Sequence, residues 1–154
     1  MREVEQALSA IPGFAGATLL QQLSNGPTNS SFLLEQNGER FVLRLDKPAA
    51  RELGLNRENE QEVLSHLATH GLAPAVIYCD VTEGVLLRPF LPGRAWTEQI
   101  LNSKEALQRL ARLLHRLHAL APVGAAFDPL GAARRYALHL ATPDSATVLQ
   151  KAER

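Results

Sequence analysis

Arg44 and Glu60 are the residues whose setting first asks for chemistry. In the run Phe41-Val-Leu-Arg-Leu45, strand alternation puts Phe41, Leu43 and Leu45 on one face and Val42 with Arg44 on the other. A cation is thereby set beside an aliphatic side chain on an inward face. Glu60 precedes Val63 and Leu64 on a segment of helical period, so it shares their apolar stripe and not the solvent side. A carboxylate left unpaired there costs several kcal/mol or takes up a proton, and Arg44 is the nearest suitable partner in the pattern. The plainer alternative is a solvated Arg44 with Glu60 paired locally to Arg57. Spacing alone leaves both open.

The segment Ser24-Asn-Gly-Pro-Thr-Asn-Ser-Ser31 is polar and rich in small donors, which suits wrapping an oxyanion with backbone N–H groups. It also serves as a simple strand connection. Neither a G-x-x-x-x-G-K-[ST] motif nor a strict G-x-G-x-x-G motif is present. His115 and His118 stand three apart, as metal ligands on a helix do, but no Cys, Asp or Glu shares their face, which favours packing or exposure. Trp96, after Pro92-Gly-Arg94, suits stacking on a ring or cation, or anchoring a lobe junction.

Composition narrows the setting. The 154 residues carry 16 Lys plus Arg against 16 Asp plus Glu, without a basic block, which argues against a protein built to neutralise nucleic-acid phosphates. The single Cys79 excludes an internal disulfide framework and a multi-thiolate zinc site. The start, Met1-Arg-Glu-Val-Glu5, is too acidic for a secretory signal, and no window approaches the roughly 20 apolar residues of a membrane span. A cytoplasmic, non-membrane protein with no nucleic-acid partner is expected.

The elements that must position these residues follow from periodicity. A short helix over residues 1 to 10 ends at Pro12-Gly13. Strands are predicted at Thr18 to Leu23, Ser31 to Gln36 and Arg40 to Leu45, the last two joined by a tight Asn37-Gly38 hairpin. Asn56 caps a helix of about 13 residues that stops at Gly71. Strands at Ala75 to Cys79 and Val85 to Phe90 meet at Glu83-Gly84, giving the order β-β-β-α-β-β before a boundary near Pro92-Gly93. Beyond it, a short helix near Thr97 to Leu101 precedes a longer one from Ser103 to Ala121, and 123 to 154 is weakly patterned.

Taken in order, Gly26-Pro-Thr-Asn29 with Phe32, the strand Arg40-Phe-Val-Leu-Arg-Leu45, Asn56-Arg57 with Glu60, His70-Gly-Leu-Ala-Pro74, Leu87-Arg-Pro-Phe-Leu-Pro-Gly93 and Leu114-His-Arg-Leu-His118 resemble a known pattern. It is that of the amino-terminal half of the aminoglycoside phosphotransferase and choline, ethanolamine and thiamine kinase superfamily. The resemblance implies an α+β, protein-kinase-like fold: a lobe over 1–91 with an antiparallel five-stranded sheet and one helix, then a hinge and the first helices of an incomplete helical lobe over 92–154. It implies that Arg44 holds the α- and β-phosphates of ATP with Glu60 as its helix partner. Val42 would lie over the adenine, and Gly26, Thr28, Asn29 and Ser30 would belong to the segment that covers the phosphates. The carbonyl of Pro89 and the N–H of Leu91 would meet the adenine edge.

The same resemblance implies transfer of the γ-phosphate of ATP to the hydroxyl of a small molecule, with magnesium in the complete enzyme. The motifs for that step are missing. None of the five His residues begins a His-x-Asp sequence, and Asp46, Asp80, Asp128 and Asp144 lack the Asn and downstream Asp that the chemistry needs. The 154-residue chain is therefore expected to be inactive alone, as a fragment ending before its catalytic loop. The Leu-rich helix 103–121 is more apolar than one small lobe can cover, which points to self-association or to a further lobe. A non-catalytic nucleotide-binding or dimerising module is the alternative function.

Overall fold

The computed structural model describes residues 2–94, 96–126 and 128–140. Helix α1 (Arg2–Ala10) leads into three antiparallel strands, β1 (Thr18–Asn25), β2 (Asn29–Gln36) and β3 (Glu39–Asp46). Two helices, α2 (Pro48–Glu52) and α3 (Arg57–Thr69), precede β4 (Tyr78–Asp80) and β5 (Val85–Pro89). The five strands form one antiparallel sheet in the order β1-β2-β3-β5-β4. Helices α4 (Glu98–Leu101), α5 (Lys104–His118) and α6 (Pro129–Leu140) follow.

The strand alternation resolves into two differently covered faces. Leu34, Phe41, Leu43 and Leu87 pack with Val4, Leu8 and Ile11, so α1 and the turn after it close one face. Phe14 meets Phe41 edge to face at 4.9 Å, and Gln36 donates to the Gly13 carbonyl at 2.8 Å, tying that turn to the sheet. On the opposite face Val42 pairs with Leu33 and Arg88, and Arg44 with Leu86. This second face carries the expected site.

The hairpin forms as predicted, with Asn37 at φ 54° and Gly38 at φ 80°, the left-handed geometry that Asn and Gly accept. Asn56 caps α3 by accepting from the Asn59 N–H at 2.9 Å, and Ser103 caps α5 by accepting from Ala106 at 3.1 Å. Several boundaries differ from the sequence reading. Strand β2 begins at Asn29, so Asn29 and Ser30 are strand residues facing Asp46 and Leu45, and only Gly26 to Thr28 remain as loop. Strand β4 is pushed on to Tyr78–Asp80, with one further rung from the Ile77 N–H to the Leu87 carbonyl at 3.0 Å.

Helix α2 was not expected, because its five residues are too few to show a helical period. Nor was α6, where Gly131 hides the pattern; the Asp128 carboxylate accepts from the Gly131 N–H at 2.9 Å at its start. The expected segment 92–154 lies outside the described residues from 141 onward, and Asp144 with it. Helix α5 exposes Leu107, Leu113, Leu114 and Leu117, as the Leu-rich pattern implied. No described helix is long and apolar enough to cross a membrane.

Candidate functional site

Strand β3 and helix α3 bring Arg44 and Glu60 together. Arg44 Nη1 donates to Glu60 Oε1 at 2.5 Å and Nη2 to Oε2 at 2.8 Å, a bidentate fork between sheet and helix. The local alternative is also present, since Arg57 Nη1 donates to Glu60 Oε2 at 2.8 Å. Both readings of Glu60 hold at once. The cluster closes through Asp46, which receives Arg57 Nε at 2.6 Å and Nη2 at 2.8 Å and lies 3.6 Å from Arg44 Nε. Two cations and two carboxylates thus interlock at the end of β3 with no net charge.

This neutral cluster shifts the ionisation of Glu60 and Arg57. Burial works to raise the Glu60 carboxyl, but the hydrogen bonds and charges of Arg44 and then Arg57 outweigh it and hold it below the ordinary carboxylate value. Burial works against the charge of Arg57 too, and the bond to Asp46 with the charge of Glu60 reverses that effect and raises it. Arg88, also on this face, is pushed down by burial and by repulsion from Arg44. Burial pushes the Cys79 thiol up, so it offers no ready thiolate.

Arg44 keeps donors in reserve. A guanidinium carries five N–H groups, and Glu60 takes one from each terminal nitrogen, while Nε is buried without a hydrogen-bond partner. Nε instead lies inside the cluster, 3.6 Å from Asp46 Oδ1. Among the described residues no three His, Cys, Asp or Glu side chains converge to hold a metal. Asp46 is engaged by Arg57, Asp80 caps the β4–β5 turn through the N–H groups of Thr82 and Glu83, and Asp128 serves α6. Among the described residues the magnesium implied by the resemblance finds no ready set of ligands.

The remaining expected residues are held by their own elements. Val42 lies two residues before Arg44 on the same face, partly covered. Gly26 and Thr28 form the β1–β2 loop, where the Gly26 N–H donates to the Asn29 carbonyl at 2.9 Å and Asn29 Nδ2 to Thr28 Oγ1 at 3.2 Å. Ser30 donates to Asn25 Oδ1 at 3.1 Å. Pro89 ends β5 opposite Phe41, and Leu91 is largely exposed just beyond it. A cavity of about 740 Å³ opens between α2, the start of α3 and the β4–β5 turn, where Asp46, Lys47 and Arg57 line it but Val42, Pro89 and Leu91 do not.

The sequence reading missed Asp46 and Lys47 and gave Arg57 only a local role. Alternation continued one step past Arg44 would have put Asp46 on the same face, and Arg57 stands one helical turn before Glu60. Lys47 carried no signal, because its bonds run to a loop 21 and 22 residues away.

The sequence profile of the phosphotransferase enzyme family matches residues 19–153, nearly the whole chain. The chain belongs to that family. No curated protein matches it in sequence. Solved structures do resemble this family member. A choline/ethanolamine kinase family protein from Mesorhizobium loti aligns with a TM-score of 0.64 and 23% identity, over 99% of this chain and 51% of that one. Choline kinase from Streptococcus pneumoniae gives 0.68 and 14% identity, over 97% of this chain and 53% of its own. Plasmodium vivax ethanolamine kinase gives 0.60 and 18%, over 79% and 37%. At these identities the likeness concerns the fold, a kinase-like α+β architecture. The phosphotransferase chain spans about half the length of the first two structures and less of the third.

Proposed function

We propose that this phosphotransferase-family chain is the ATP-binding lobe, hinge and first helices of a small-molecule kinase that moves the γ-phosphate of ATP to a substrate hydroxyl. The observation that carries this reading is the bidentate Arg44–Glu60 fork between β3 and α3, which aims a preorganised cation along the site face. Glu60 holds Arg44 in one rotamer, and Asp46 with Arg57 holds Glu60 and α3 in register. Arg44 then receives the phosphates without reorganising. The kinship with choline and ethanolamine kinases in fold supports an amino-alcohol acceptor, with thiamine-like alcohols as the wider class. The absence of any His-x-Asp sequence supports a binding role for these 154 residues, with chemistry supplied by a catalytic loop they do not contain.

Titration with ATP tests the reading. The wild-type chain is expected to bind ATP, and Arg44→Ala to weaken it by about tenfold or more, in line with a lost charge-assisted contact. Equal affinity in the two proteins overturns the assignment of Arg44. A second reading, a dimerising interaction module, is favoured by the four exposed leucines of α5. Sedimentation velocity separates it: a monomer at all concentrations rules it out.

A further inference from the structure

We propose that Lys47 supplies the positive charge with which the β1–β2 loop meets the polyphosphate of the nucleotide. This deepens the ATP-binding reading and rests on it. The eight residues Ser24 to Ser31 contain no charged side chain. A loop of neutral groups covers phosphates only with backbone dipoles, unless a cation reaches it from outside. Lys47, the residue after β3, does so. Its Nζ donates to Asn25 Oδ1 at 2.6 Å and to the Gly26 carbonyl at 2.7 Å, and its backbone N–H donates to the Thr28 carbonyl at 2.8 Å.

The partners of that ammonium are what point to an anion. Both acceptors are neutral, and among the described residues no carboxylate lies within ion-pair distance of Nζ. The adjacent Asp46 is engaged by Arg57. An ammonium has three N–H groups, and two are satisfied, so the third is left to an incoming acceptor at the mouth of the loop. Lys47 is half-buried, which limits screening of its charge. The cations Arg44 and Lys47 lie three residues apart, and β2 residues Ser31 to Asn29 run alongside from one toward the other.

A pure latch and a charge donor make opposite predictions for chosen variants. Lys47→Gln keeps a donor for Asn25 but removes the charge. Asn25→Asp strengthens the latch while neutralising the charge. Calorimetric titration of the full chain with inorganic tripolyphosphate, ATP and adenosine reads the difference, with thermal melts confirming folding. Tripolyphosphate and ATP are expected to bind about tenfold more weakly to both variants, with Lys47→Arg restoring most of the loss. Should Lys47→Gln not fold, Asn25→Asp carries the same test. Unchanged tripolyphosphate affinity in Asn25→Asp, or no binding of tripolyphosphate by the wild type, overturns the proposal. Lys47-dependent tripolyphosphate binding without any adenosine binding supports the lysine assignment and removes the adenine reading instead.

Discussion

Arg57 grips Asp46 with two parallel bonds, Nε to Oδ2 at 2.6 Å and Nη2 to Oδ1 at 2.8 Å, and spends its third nitrogen on Glu60. Helix α3 is thereby fastened to the end of β3 at two places, once through Arg57 and once through Glu60. The same guanidinium that looks like a local helix partner is the bracket that sets the height of the helix over the sheet. Arg44, whose side chain hydrogen-bonds to Glu60 alone among the described residues, depends on that bracket for its aim.

Removing the bracket is expected to be costly. Arg57→Ala leaves a largely buried Asp46 carboxylate short of its partner, and a loss of about 2–3 kcal/mol in denaturant unfolding is expected, below the ~3–5 of a fully buried pair. Arg57→Lys recovers only part, since an ammonium cannot reproduce the fork. A double-mutant cycle with Asp46→Ala should show coupling of roughly 1 kcal/mol or more, and additive losses would show the pair to be inert.

Glu60 sets an acid limit on stability. Its folded carboxyl lies below the ordinary value of 4.5, so the unfolded chain binds the proton more readily in that range. Its contribution is complete above the unfolded value and fades as pH falls through the folded one. Thermal stability is expected to drop with acid below about pH 5, and Glu60→Gln to flatten part of that slope. The comparison of melting temperatures for the two proteins between pH 7 and pH 3.5 checks it; parallel curves would assign the acid loss to other carboxylates.

Gly84 is the tightest backbone position near the cluster. It has φ 68°, its carbonyl accepts the Asp46 N–H at 2.9 Å, and a Cβ there would stand 2.5 Å from that of Asp46. Gly84→Ala therefore strains the β4–β5 turn and displaces Asp46 together. A loss of about 2–4 kcal/mol is expected, with weaker ATP binding beside it. Wild-type unfolding for this variant would mean that the turn relaxes freely.

Leu43 tests the other face. It is fully buried between α1 and the sheet, and Leu43→Ala is expected to cost roughly 2–5 kcal/mol. Nucleotide affinity per folded molecule should stay near wild type, because the core lies behind the site.

Leu113 and Leu117 on α5 give the contrasting case. They are 49% and 39% exposed, so replacing both by Gln should change unfolding by less than about 1 kcal/mol. Any concentration-dependent association seen by sedimentation velocity should fall in the variant if the helix face mediates it.

The sequence by itself determined the Asn37-Gly38 hairpin, the capped helix over 57–69 and the placing of Arg44 and Glu60 on inward-facing sides of their elements. Each of those rests on local physics: alternation, a turn that needs positive φ, a side-chain cap, a carboxylate on an apolar stripe. The ordered motifs, from Gly26 to His118, also carried the family, since they fall within the stretch that its profile matches. The tertiary structure decided what local spacing leaves open. Whether Glu60 joins Arg44 or Arg57 depends on how α3 crosses β3, and the crossing lets one carboxylate hold both. Asp46 and Lys47 acquire their roles only when the chain returns, at Arg57 and at the β1–β2 loop. Contacts between residues far apart in sequence have no period to announce them, so they appear only once packing has closed the distance.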